Sequence, residues 1–83
     1  MTKYLYSLRD SLTAWMDPVV DLNDASAKRA VSVSVNTTGS LLGYDPAHFE
    51  LYRVGEFDTD TGIVSAYPLP VMLCNLSELV RGD

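Results

Sequence analysis

The sequence holds one cysteine, Cys74, and one histidine, His48. A single cysteine excludes an internal disulfide. In the apolar run Val71-Met72-Leu73-Cys74 a free thiol reads as a small core side chain. A lone His and a lone Cys far apart fall short of the roughly three or four ligands a metal site needs. The longest purely apolar runs span a few residues, whereas a membrane-crossing helix needs about 20, so no membrane association is expected. Basic residues are scarce: 6 Lys and Arg face 11 Asp and Glu, for a net charge of −5. Nucleic-acid binding is dominated by cation–phosphate contacts, so this balance disfavours a tight, non-specific DNA binder. The opening Met1-Thr2-Lys3-Tyr4 lacks the long apolar stretch of a signal peptide and reads as intracellular.

What remains is an ordinary globular composition, 47% hydrophobic and 20% charged in 83 residues. That length predicts one domain over residues 1–83. Residues 75–83 are expected to form a loosely ordered tail, with one helical turn from Leu76 to Val80 and fraying at Arg81-Gly82-Asp83. The charge is unevenly spread. Through residue 43, Lys3, Arg9, Lys28 and Arg29 balance Asp10, Asp17, Asp21 and Asp24, so the whole excess of acid falls in the second half. Acidity of this kind suits solubility or a basic protein partner.

The elements read as a small α+β fold: a mostly antiparallel sheet of four or five strands covered by one main helix near residues 24–36. Tyr4-Leu5-Tyr6-Ser7-Leu8 reads as a first strand. Ala14 to Val20 reads as a second extended piece that Pro18 confines to an edge or a bulge. Asn23 and Asp24 offer helix N-caps. Beyond them the signals conflict. Ala27, Ala30, Val31 and Val35 share a helical face, yet Val31-Ser32-Val33-Ser34-Val35 alternates like a strand. The cap and the alanines favour the helix. A loop follows, with a helical turn at Pro46-Ala47-His48. Phe49 to Phe57 is the strongest strand, Asp58 to Gly62 a tight turn, and Ile63 to Tyr67 the returning strand. Pro68 and Pro70 should end or bulge its pairing. An 83-residue domain is marginal alone, so a homo-oligomer is expected, formed by edge strands near Pro18 or Pro70.

Chemistry is sparsely signalled. Asp58-x-Asp60-x-Gly62 opens like a calcium loop, but the position that needs a bidentate Glu holds Leu69, and the required glycine falls at Ile63. A hairpin turn built on Asp58, Asp60 and Gly62 is the better reading. His48 lies near Asp45 without a marked nucleophile. The glycines form neither a phosphate loop nor a dinucleotide fingerprint. No catalytic, cofactor or metal residue is assigned, and the chain is expected not to be an enzyme. Candidate contacts to a partner or to DNA are Tyr4, Tyr6, Lys28, Arg29, Tyr52, Arg53 and Glu56. Of these, Tyr52, Arg53 and Glu56 are expected to be exposed. Gly55 and Gly62 are expected to resist substitution.

The stretch from Pro46 to Gly62, with Phe49-Glu50-Leu51-Tyr52-Arg53-Val54-Gly55-Glu56-Phe57-Asp58 at its centre, resembles the pattern HPxDFxLYxxGEFDxxTG of the small nonstructural protein of gokushovirus-type microviruses, which are single-stranded DNA phages. Tyr4 to Asp10 and Ala27-x-x-Ala30 followed by Val35-Asn36 are similar to other parts of that family in the same order. The likeness covers roughly residues 3–70. This chain departs from the pattern with Asp45 in place of a histidine and Val31 in place of an aromatic. The resemblance implies a helix over residues 24–36. It also implies a factor in the switch from duplex replication to single-strand synthesis and packaging, working in the bacterial host cytoplasm. Such a factor would bind phage replication and packaging proteins, with single-stranded DNA a lesser partner. The alternatives are a sequence-independent single-strand binder using Tyr4, Tyr6, Tyr52, Lys28 and Arg29, and a scaffold-like assembly module.

Overall fold

A computed structural model describes residues 1–81. Four strands, β1 (Thr2–Asp10), β2 (Val19–Asp21), β3 (Phe49–Asp58) and β4 (Val64–Asn75), form one antiparallel sheet in the order β2-β1-β3-β4. Helix α1 (Asp24–Val35) connects β2 to β3, which run parallel to each other on either side of β1. A short helix, α2 (Leu41–Tyr44), and 3-10 turns at Pro46–His48 and Leu76–Leu79 complete the chain.

The helix wins over residues 31–35 because burial, not alternation, decides. Asn23 caps it by accepting from the Ser26 N–H at 2.8 Å. Ala27, Val31 and Val35 then recur every four residues on one face, with Ala27 and Val35 buried in the core and Val31 packed against it. Val33 points the other way and is 64% exposed. The core joins these residues to Tyr6, Phe49, Leu51, Cys74 and Leu76.

Alternation assigns the sheet two sides. Tyr4, Tyr6, Leu8, Leu51 and Arg53 face the helix. Lys3, Leu5, Ser7, Arg9, Glu50 and Tyr52 face outward. Trp15 lies on the outer side as well, bridged through its backbone to Arg9, with its ring edge-on to Tyr52 at 4.7 Å. In β3 the regular alternation breaks once. Leu5 pairs with Gly55 and Tyr6 with Arg53, so Val54 is an extra residue, a β-bulge. Arg53 and Glu56, three apart, therefore face the same side.

The prolines act as expected. Pro18 precedes the short edge strand β2. On the other edge, pairing jumps from Gly55–Ala66 to Arg53–Val71, leaving Tyr67 to Pro70 out of register. The hairpin turn closes through Gly62, whose φ of +75° suits glycine, and Asp58 accepts from the Asp60 N–H at 2.8 Å. Gly55 is needed for a different reason: a Cβ there would lie 2.6 Å from the Ser65 carbonyl oxygen.

The expected loose tail is corrected over its first part. Asn75 and Glu78 form a capping box for the 3-10 turn, and Leu76 is fully buried. Asn36 also ties the segment down, donating to the Leu79 carbonyl at 3.0 Å and accepting from the Arg81 N–H at 2.9 Å. Positions 82 and 83 lie outside the described residues. Replacing Leu76 with Ala should therefore cost about 2–5 kcal/mol, as for other buried leucines. Urea unfolding measures this, and a loss under about 0.5 kcal/mol, typical of a surface site, would contradict the packing.

Candidate functional site

The charged and aromatic groups converge on the helix side of the sheet, beside the first turn of α1. Asp24 is the hub. Its carboxylate accepts from the Tyr6 hydroxyl at 2.7 Å and from Arg53 Nη1 at 2.7 and 2.9 Å. The Arg53 guanidinium lies 5.4 Å from the Tyr4 ring centroid and 5.8 Å from that of Tyr67, within cation–π range of both. The Tyr67 hydroxyl in turn donates to Glu56 at 3.0 Å. Charge-assisted hydrogen bonds of this kind hold the helix start onto β1 and β3.

The local electrostatics follow from these contacts. Burial and the bond to Asp24 push the Tyr6 phenol well above its ordinary value, so Tyr6 remains a neutral donor. Burial also raises the Tyr67 phenol, helped by its bond to Glu56. For Asp24, burial favours the neutral acid, but the hydrogen bonds from Tyr6 and Arg53 and the nearby cations outweigh it and hold the carboxyl below the ordinary range. The bond to Asp24 chiefly keeps Arg53 charged. Burial raises the Cys74 thiol, in keeping with a core role.

Four of the residues singled out from sequence meet here: Tyr4, Tyr6, Arg53 and Glu56. Two expectations about them are corrected. Tyr6 is 1% exposed, so it offers no ring to a base or a partner. Arg53 and Glu56 are half-buried rather than exposed, with Arg53 spent on Asp24 and Glu56 on Tyr67. The other three lie apart. Tyr52 is half-buried on the opposite side under Trp15, Lys28 is half-buried on α1, and Arg29 is exposed on α1. The stacking set of Tyr4, Tyr6, Tyr52, Lys28 and Arg29 is thus split between two sides of the sheet and does not form one platform. Asp58, Asp60 and Gly62 sit in the hairpin turn as expected. Backbone N–H groups from Asp60 onward hold the Asp58 carboxyl below the ordinary range.

Sequence reasoning missed Asp24 as the hub, having read it only as a cap, and missed Tyr67. The isolated Gly55 inside a strand pattern was the available sign of a bulge. Away from the cluster, His48 Nδ1 lies 2.7 Å from the Asp45 carboxylate in the 3-10 turn. An open crevice of about 510 Å³ runs along the loop from Val35 to Tyr44. Among the described residues no group of three or more His, Cys, Asp or Glu is placed to hold a metal. No helix among them is long and apolar enough to cross a membrane.

Fold and cluster together define a small α+β domain whose half-buried ionic groups pin one helix to a four-stranded sheet. The chain belongs to the phage ORF5 protein family, whose model matches residues 3–79. It is thus a phage accessory protein. Searches of the curated proteins and of the solved structures return no match.

A stability–pH profile checks the cluster. The lowered pKa of Asp24 means that the unfolded chain takes up protons first as the solution is acidified. The stabilisation should be complete above the ordinary aspartate value of 3.8 and drain away as pH falls below it, through the lower folded value. Because the Asp24 side chain is 37% exposed, solvent screening trims the effect. Asp24→Asn should cost about 1–2 kcal/mol at neutral pH and flatten the acid limb. An Asp24→Asn profile parallel to wild type down to strong acid would show that Asp24 is not the hub.

Proposed function

We propose that this chain is a non-enzymatic accessory protein of a gokushovirus-type microvirus. In this reading it acts in the switch from duplex replication to single-strand DNA synthesis and packaging, in the bacterial host cytoplasm, by binding protein partners. The family match over residues 3–79 supports a phage protein. The microviral pattern adds the narrower role.

One observation carries the docking reading. The helix covers one side of the sheet, while the other side presents Val20, Trp15, Met72 and Val64 to solvent, each between 45% and 61% exposed. The phage pattern from Phe49 to Gly62 is also the segment that builds this surface. Leu51 anchors it in the core, Tyr52 supports Trp15, Gly55 permits the approach of Ser65, and Gly62 closes the hairpin. These residues maintain a shape rather than assemble reactive groups, which suits a protein that works by contact.

The test is a pull-down with the phage replication initiator and procapsid components, paired with deletion of the gene. Stoichiometric retention of one of those components is expected. The deletion phage should still make duplex DNA but yield few packaged single strands. Empty pull-down lanes together with normal packaging would overturn the proposal. Labelled single-stranded oligonucleotides provide the second arm. Anisotropy that rises with protein and collapses with salt would shift the reading to a DNA binder.

A further inference from the structure

We propose that the outer side of the sheet is a homodimer interface on which two copies of the chain pack face to face. It assigns the side of the sheet on which the docking reading rests to a second copy, so that phage partners would meet the dimer rather than this side, and its test uses the purified protein alone.

Three observations lead there. The first is unburied surface. A folded monomer of 9.1 kDa exposes about 4,900 Å², whereas this chain exposes 5385 Å². Its radius of gyration is 13.2 Å, against about 11.8 Å for a compact domain of this length. The excess fits a sheet with one side covered.

The second is where the charges lie. Of the strand carboxylates among the described residues, Asp10, Asp21, Glu56 and Asp58 fall on the helix side with Asp24. Glu50 is on the outer side and is neutralised by Arg9 at 3.1 Å. A chain of net charge −5 repels its own copy wherever the acids meet. Packing outer side to outer side turns the acidic sides away from each other, and no other pairing of sheet surfaces does so. What meets is Leu5, Trp15, Val20, Tyr52, Phe57 and Met72, with Lys3 and the Arg9–Glu50 pair beside them.

The third is size and shape. Nine residues of β1 across four strands span on the order of 600 Å² in plan, and side-chain relief brings this near the roughly 800 Å² that each partner gives to a standard interface. The surface also has relief of two kinds. Trp15 and Tyr52 make a ridge at one end, and the register sets the two smallest side chains, Gly55 and Ala66, side by side nearer the hairpin. A two-fold axis lays each copy's ridge toward the other's low ground, as an isologous contact requires. The route differs from edge pairing, which the out-of-register prolines at Pro68 and Pro70 obstruct on β4.

Sedimentation equilibrium from micromolar to submillimolar protein tests the proposal. The expected mass rises toward twice 9.1 kDa. Met72→Glu and Val20→Glu place a carboxylate inside the interface at positions about half exposed in one chain, so they should fold normally by circular dichroism. Each should weaken association by about a hundredfold or more, the cost of burying an unpaired charge. Val33→Glu, on the solvent side of α1, should change nothing. Raising salt from about 0.01 M to about 0.15 M shortens the Debye length from about 30 to about 8 Å and should tighten the dimer by screening its repulsion. Three results would overturn the proposal. One is a monomer at every concentration. Another is a dimer that survives both glutamates yet is lost in Leu69→Glu, which would indicate pairing through the β4 edge. The third is a monomer whose Met72→Glu variant loses a phage partner, which would assign this surface to that partner.

Discussion

A single extra residue in β3 governs the distribution of chemistry over this molecule. Strand side chains alternate, so residues an odd number apart normally face opposite ways. Val54 inserts between two paired positions and resets that count. Upstream, Leu51 and Arg53 face the helix. Downstream, Glu56 does so too, and Phe57 is turned outward. Without the bulge, Glu56 would leave Tyr67 and Phe57 would crowd the ionic cluster. The same shift turns Asp58 to the helix side together with Glu56.

The two sides then have different tasks. On the helix side a small core from Tyr6 to Leu76 is supplemented by the bonds of Asp24 to Tyr6 and Arg53. A chain this short buries little apolar surface, so each anchoring bond is a large part of its margin. The cluster is therefore structural first, and its hydrogen-bonding capacity is largely directed inward. On the outer side no helix has been added. An uncovered sheet face is a familiar place for one protein to meet another, whether a second copy or a partner. Membership of the phage ORF5 family places that surface in a phage protein.

Much of the architecture could be read from particular residues. Asn23 marked the helix start, Asp58 to Gly62 the hairpin, and the prolines the irregular edges, because each acts through local backbone geometry. Val31 to Val35 was ambiguous locally and was settled by what Ala27 and Val35 pack against. The ionic cluster was only half legible. Tyr4, Tyr6, Arg53 and Glu56 were noticed as chemistry-bearing, but their assignment to one side depended on a bulge that Gly55 merely hints at. Tyr67 and Asp24 arrive from distant parts of the chain, and no spacing rule joins them to Arg53. The helical turn at Leu76 is legible, but its burial is not, because that depends on α1 folding back over the sheet.

Nuclear Overhauser contacts around Arg53 and Phe57 test the bulge most directly. The account predicts cross-peaks from the Arg53 side chain to the rings of both Tyr4 and Tyr67, with the Phe57 ring touching Lys3 and Val64 and showing none to α1. Cross-peaks from Phe57 to Tyr4, with Glu56 beside Lys3, would mean that β3 alternates without interruption and would contradict the assignment of Glu56 to the helix side and Phe57 to the outer side.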